Sequence, residues 1–271
     1  MDFKKYLKET AKKLDWEVGK ILQEELKKAE TTDKKLVPLL AAFIKSCRGG
    51  KGIRGALVIL GYEMGRKGRG KEIYKIAASY EILHSAILVH DDIIDQSSRR
   101  RNEPSLYQAL GGSHYGVSQA ISLADYGFFL SFKLISESNF SAESKISALE
   151  LFSKVLMNTS LGEMLDLEIT DPLTVMRLKT ACYTIAGPLQ IGAILAGADK
   201  KSIKVLGEFG ENLGIAYQIR DDVLDLETSD PEKAKKEAEE YINKALQILP
   251  KDLKMSKLLE QLSKYLIERT E

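Results

Sequence analysis

Apolar residues recur at three- and four-residue intervals through almost the whole sequence, and that period restricts the chain to helices packed on helices. Leu14, Val18, Ile21, Leu22 and Leu26 form one such stripe. Residues 146–167 continue the pattern unbroken by proline, with Gly162 their only glycine, and Tyr241, Ala245, Ile248 and Leu249 repeat it near the C-terminus. Strand signals are scarce. Neither Asn-Gly nor Asp-Gly occurs, so the strongest hairpin signal is absent. Helix breaks are expected where polar and glycine clusters sit: 30–33, 65–70, 111–113, 138–141 with Ser141 as N-cap, and Asp230–Pro231. No shift in composition divides the chain. The reading is one all-α domain over residues 1–271, with about ten helices.

Charge and cysteine content narrow the function. The sequence has 271 residues, and 40 Lys and Arg against 39 Asp and Glu leave a net charge of +1, which gives no broad electrostatic attraction for nucleic acid or an anionic membrane. Cys47 and Cys182 are too few for a disulfide framework or a cysteine-rich metal site. The N-terminal residues 1–16 are charged and amphipathic, unlike a signal peptide. Residues 181–198 are the most apolar run, but they include Pro188 and Gln190 and reach only the lower limit for a span. They read as a buried helix pair. A cytoplasmic protein without stable membrane insertion is expected.

The sequence DDIID at 91–95 returns as DDVLD at 221–225. On a helix Asp91 and Asp95 share a face, with Asp92 about 100° round. Carboxylates this close repel one another, so a compensating charge is expected nearby. Oxygen donors without His or Cys suit Mg²⁺, which keeps several waters and bridges carboxylates to phosphate oxygens. A solvated acidic face is the competing reading of one such cluster. Two clusters, each beside apolar residues, favour metal. Tyr80, Leu83, His84, Ile87, Asp91 and Asp95 make a stripe that runs from apolar to acidic, as a wall would beside an apolar ligand with a charged head. Gly214, Tyr217, Gln218, Asp221 and Asp225 make a second. Arg99, Arg100 and Arg101 follow the first motif, and guanidinium forks suit phosphate oxygens. The basic, glycine-rich residues 48–54 open a helix and form a candidate anion site. His90 adjoins the first motif, and its imidazole reads as structural rather than catalytic.

These residues resemble the trans-type isoprenyl diphosphate synthases, the polyprenyl synthetase family, and the geranylgeranyl diphosphate synthases within it. GGKGIR at 49–54 is similar to the family's GGKRxR, residues 82–95 to its first aspartate-rich region, and Arg100 and Arg101 to its paired arginines. LADYGFFLSF at 123–132, GEMLDL at 162–167, Lys179-Thr180 and YQIRDDVLD at 217–225 resemble later motifs in the same order. The resemblance implies a helical bundle around a deep central cavity, working as a homodimer on isopentenyl diphosphate and an allylic diphosphate (dimethylallyl, geranyl or farnesyl). Asp91, Asp95 and Asp221 would hold three Mg²⁺ ions, with Asp92, Asp222 and Asp225 in support. Arg100, Lys179 and Gln218 would contact the allylic diphosphate, with Thr180 and Tyr217 also in the substrate site. Lys51, Arg54, His84 and Arg101 would bind isopentenyl diphosphate. In this family bulky aromatics shortly before the first motif stop chain growth. Here Ala86 and Ile87 occupy those positions, with Leu83 a turn earlier, so a geranylgeranyl (C20) or longer product is implied. Phe128 and Phe129 are the candidates for a cavity floor, with Phe132 near them.

The sequence departs from the family at several places. Gly52 stands where Arg is usual, Gly55 where Pro is usual, Asn102 for a glycine, Ala124 for a glycine and Glu163 for Gln. After Asp225 several tens of residues have no counterpart, among them a lysine for the allylic diphosphate and part of a lid. Residues 229–271 resemble the family's final helices, and Lys233, Lys235 and Lys236 are the available substitutes. Two other readings share part of the pattern. A class I terpene cyclase has one DDxxD but normally a different second motif. A non-catalytic subunit of a heteromeric synthase fits the shortened C-terminal region, although such subunits tend to lose their aspartates.

Overall fold

The computed structural model describes residues 2–65, 70–168, 170–224, 228, 230–250 and 256–267. Asp225 of the second motif lies outside them. The long helices are α1 (Phe3–Thr32), α2 (Leu36–Ser46), α3 (Ile53–Gly65), α4 (Lys71–Ile94), α6 (His114–Ser136), α7 (Ala142–Asp166), α10 (Lys200–Leu224), α11 (Pro231–Ile248) and α12 (Ser256–Ile267). Shorter ones are α5 (Leu106–Ala109), α8 (Pro172–Val175) and α9 (Gly187–Leu195). The fold is all-α, as the period predicts. Helix ends follow the expected chemistry: Ser141 Oγ accepts from Ser144 N at 3.2 Å, and Asp230 Oδ1 accepts from Lys233 N at 3.0 Å.

The chain divides into two compact units. One contains residues 10–55 and 74–139, the other residues 1–9, 56–73 and 140–271. In the first unit Val18, Ile21 and Leu22 of α1, Phe43 and Ile44 of α2, Ile82, Ala86 and Val89 of α4, and Leu123, Leu130 and Leu134 of α6 share one apolar core. Buried Glu25 of α1 lies at its margin, bonded to Lys28 at 2.5 Å and to the Tyr126 hydroxyl.

That unit also holds the sole strand pair among the described residues, β1 (Arg99–Arg100) against β2 (Glu103–Pro104), antiparallel. Its two-residue turn is Arg101–Asn102, with φ of +52° and +64°. Both values are those of a type I′ turn, and Asn is the side chain that best tolerates them after glycine. Asn102 therefore takes a left-handed backbone without being glycine, and the hairpin forms without an Asn-Gly pair.

In the second unit α10 packs against α11 and against a π-helix, Met176–Ala186. Gly187 N donates to Cys182 O, the wide i→i−5 bond of that geometry. The π-helix passes without a loop into α9, whose first turn accommodates Pro188. Residues 181–198 are thus one nearly continuous buried rod followed by a turn, where the sequence suggested a helix pair. Backbone contact fixes it from two sides. A Cβ on Gly162 of α7 would lie 2.3 Å from Lys179 N, and one on Gly214 of α10 would lie 2.5 Å from Ala181 Cα. No described helix is long and apolar enough to cross a membrane.

Candidate active site

The first aspartate motif sits at the end of α4. Asp91 is half-buried, Asp92 is 3% exposed and Asp95 is exposed. Ile94 inside the motif is also exposed, so the helix emerges from the core at this point. The hairpin delivers Arg100 to it: Nη2 donates to Asp91 Oδ2 at 2.8 Å and Nε to Asp92 Oδ1 at 2.7 Å. One guanidinium thus bridges two adjacent carboxylates, which is the compensating charge that their repulsion demands. Burial still pushes the Asp92 carboxyl up, against the pull of Arg100.

Beside it lies the glycine-rich loop before α3. Arg101 Nη1 donates to Arg48 O at 2.7 Å, tying the hairpin to the loop. Glu81 of α4 accepts from Gly55 N at 2.7 Å, on the first turn of α3. Burial raises the Glu81 carboxyl, while Gly55 N–H and the Arg54 and Arg101 guanidiniums draw it down. His84, one turn along α4, feels the same cations. Burial first, then Arg54, Arg101 and Arg100, hold its imidazole well below its ordinary value. Lys51 is exposed at the loop. In this unit Arg54, His84 and Arg101 therefore converge, and they leave a region of net positive charge around a neutral imidazole.

The departures at Gly52 and Gly55 have local causes. Gly52 has φ of +67°, and a Cβ there would sit 3.2 Å from Ala11 Cβ. A Cβ on Gly55 would lie 2.8 Å from Leu14 Cδ1 and 2.9 Å from Ala77 O. A proline at 55 would also lack the N–H that Glu81 accepts. Arg and Pro, usual in the family, do not fit this packing.

The second unit carries Lys179 and Thr180 on the π-helix. Lys179 Nζ is 2.6 Å from Asp166 Oδ2 and 3.1 Å from Glu163 Oε2. Burial would lower its pKa, but these two carboxylates overcome that and hold it above its usual range. Thr180 Oγ1 donates to Gln218 Oε1 at 2.7 Å, and Gln218 Nε2 donates to Asp222 Oδ1 at 2.7 Å. A chain of hydrogen bonds thus runs from the π-helix to the second aspartate motif. Asp221 and Tyr217 are half-buried on α10. An open cavity of ≈ 280 Å³ adjoins Asp222, lined also by Met176, Ile219 and Glu237. Among the described residues no group of three or more His, Cys, Asp or Glu side chains forms a ready-made metal cage.

The other expected residues fall as follows. Leu83 and Ala86 are fully buried, Ile87 and Phe128 half-buried. Phe129 is 73% exposed, so it forms no floor inside this chain. His90 is structural in its contacts, edge-on to the Phe128 ring at 5.2 Å and 3.6 Å from Asp125 Oδ1. Lys233 and Lys236 are exposed on α11, and Lys235 pairs with Glu232 at 2.7 Å. Sequence reading missed Glu81, Asp166 and Glu163 as partners of the cationic side chains. Glu81 could have been noticed as a lone acid within the apolar stripe, three residues before His84.

Known proteins resemble this chain over much of its length. The geranylgeranyl diphosphate synthase of Sulfolobus acidocaldarius is 32% identical over 197 residues, 69% of this chain and 58% of that enzyme. The geranylfarnesyl diphosphate synthase of Aeropyrum pernix is 35% identical over 189 residues, 65% of this chain and 57% of that enzyme. The matches thus span less than two thirds of these curated relatives. Among solved structures, the geranylgeranyl pyrophosphate synthase of Corynebacterium glutamicum, complexed with isoprenyl diphosphate and magnesium, superposes with a TM-score of 0.79 at 21% identity, covering 95% of this chain and 99% of that one. That likeness is one of fold. The family description "Polyprenyl synthetase" matches residues 37–251, and with that match the chain belongs to the polyprenyl synthetase family.

Proposed function

We propose that this chain is a Mg²⁺-dependent trans-prenyltransferase that joins isopentenyl diphosphate head-to-tail to an allylic diphosphate, giving an all-trans product of C20 or longer. The observation that carries the reading is the pairing of carboxylates with cationic side chains on rigid helices. Asp91 and Asp92 are bridged by Arg100, and Glu163 and Asp166 flank Lys179. A ligand that combines diphosphate with a divalent cation matches both halves of each set. The carboxylate donors are all oxygen, as Mg²⁺ prefers. The magnesium of the Corynebacterium neighbour supports the same choice.

In this reading Asp91, Asp95 and Asp221 would hold three Mg²⁺ ions when substrate is bound, with Asp92, Asp222 and Asp225 in support. The metal supplies Lewis-acid charge against the negative charge that grows on the leaving diphosphate. Arg100 and Lys179 contact that diphosphate and stabilise the same charge. Gln218, held by Thr180 and Asp222, orients it. Lys51, Arg54, His84 and Arg101 bind the diphosphate of isopentenyl diphosphate. The allylic C1–O bond breaks to give a cation, the isopentenyl double bond attacks C1, and the released diphosphate takes the proton lost from the adduct. No side-chain nucleophile is used. A homodimer is the assembly that fits this reading.

The test is incorporation of labelled isopentenyl diphosphate with Mg²⁺ and dimethylallyl, geranyl or farnesyl diphosphate in turn. A C20 or longer prenol after dephosphorylation is expected, with rates falling by about a hundredfold or more in Asp91→Ala or Asp221→Ala. No incorporation by the folded chain with any starter would overturn the reading.

A further inference from the structure

We infer that the outer face of α1 docks on a lipid surface bearing anionic headgroups; the inference is independent of the prenyltransferase reading above. Residues 12–27 of α1 turn Leu14, Val18, Ile21 and Leu22 into the core. At about 100° per residue the opposite face is centred on Trp16, which is 66% exposed. Within about 60° of Trp16 these residues place Lys12, Lys13, Lys20 and Lys27, all exposed, and no acid. Asp15, Glu17 and Glu24 fall about 80–100° round, on the flanks, and Glu9 and Glu30 bound the stripe at its ends. Lys20 Nζ lies 5.6 Å from the centre of the Trp16 ring and 3.8 Å from Glu17 Oε1, and Lys13 Nζ lies 5.6 Å from the centre of the Tyr74 ring. The stripe is open to solvent: a Cβ on Gly19, one turn from Trp16, would meet nothing within 4 Å.

Charge complementarity selects the partner. The whole chain, at +1, attracts anions only weakly, but the separation of lysines from acids gives this one face a positive field that acts within a Debye length, about 8 Å. Over residues 12–27 the stripe is about 22 Å long. It is the convex side of a single helix, so it has no groove in which to enclose a segment of an acidic protein. A bilayer surface is a planar array of mobile phosphates, and its headgroups diffuse to wherever the lysines fall. A tryptophan ring, apolar with one N–H, settles at headgroup depth, and lysines beside it reach past it to phosphate. The contact is peripheral, because the apolar face of α1 is committed to the core and one ring is left to enter the interface.

The sequence has one tryptophan, so emission from the full chain reports on this face alone. Vesicles of phosphatidylcholine mixed with phosphatidylglycerol are expected to shift Trp16 emission to the blue and to carry the protein down on centrifugation; phosphatidylcholine alone should do neither. Raising salt to about 0.5 M should weaken binding by about tenfold or more. Lys12→Glu combined with Lys20→Glu is expected to abolish both signals, while the same charge change at exposed Lys200 and Lys201 on α10 leaves them in place. No blue shift with anionic vesicles overturns the inference, as does an equal loss in the two charge-reversed variants or equal binding to phosphatidylcholine alone. A blue shift that needs only more protein, without vesicles, gives the face to a second copy of the chain. One produced equally by polyglutamate or duplex DNA at matched charge gives it to an acidic macromolecule. Either result overturns the lipid assignment.

Discussion

His84 is a neutral imidazole surrounded by guanidiniums, and its protonation is coupled to the stability of its unit. Its pKa lies well below 6.5 in the folded chain because burial and Arg54, Arg101 and Arg100 all oppose a further positive charge. The unfolded chain has neither constraint and takes the proton near pH 6.5. The stability His84 contributes is therefore complete above pH 6.5 and is lost as pH falls from there toward the folded value. Thermal melts between pH 7.5 and 5 are expected to show Tm dropping with acid, and His84→Asn to flatten that part of the profile. An identical pH slope in the variant would contradict this account. Some of this neighbourhood was legible in the sequence. The repulsion among Asp91, Asp92 and Asp95 required a cation, and Arg100 supplies it. The role of Glu81 was not legible, because its partner Gly55 lies far along the chain and nothing in local spacing brings them together.

At the scale of elements, the 3–4 period and the caps at Ser141 and Asp230 gave the helices and their ends. The π-helix was beyond that reading, since its residues would fit an α-helix equally well. Its extra residue per turn is held by backbone contacts from α7 and α10, where only glycine leaves room. Gly214→Ala would place a methyl group 2.5 Å from Ala181 Cα, and overpacking of this kind costs about 1–3 kcal/mol. Urea unfolding should show that loss. It should be accompanied by lower activity, because Thr180 and its bond to Gln218 ride on the displaced turn. Gly19→Ala on α1 is the contrasting case: nothing lies within 4 Å of the added carbon, and a gain of about 0.5–1 kcal/mol is expected. The hairpin was missed for a different reason. Its turn uses Arg101 and Asn102 in a conformation that sequence rules reserve chiefly for Asn-Gly.

The whole molecule presents an apolar stripe to solvent on α7. Met157, Leu161 and Met164 are 67%, 48% and 57% exposed at spacings of four and three residues, on one helical face. Under the homodimer reading a second copy of the chain would cover this face. Sedimentation velocity is expected to give a dimer for the wild type and a monomer for Met157→Glu combined with Leu161→Glu; a dimer in both would remove α7 from the interface. Coupling of another sort joins the glycine loop to α1 and α4. Gly52 yields to Ala11, and Gly55 yields to Leu14 and Ala77 while its N–H serves Glu81. Installing Arg at 52 and Pro at 55, as the motif resemblance alone would suggest, would damage this protein. Those two positions can be exchanged only as part of a graft that brings the donor's α1 and α4 contact residues along with them.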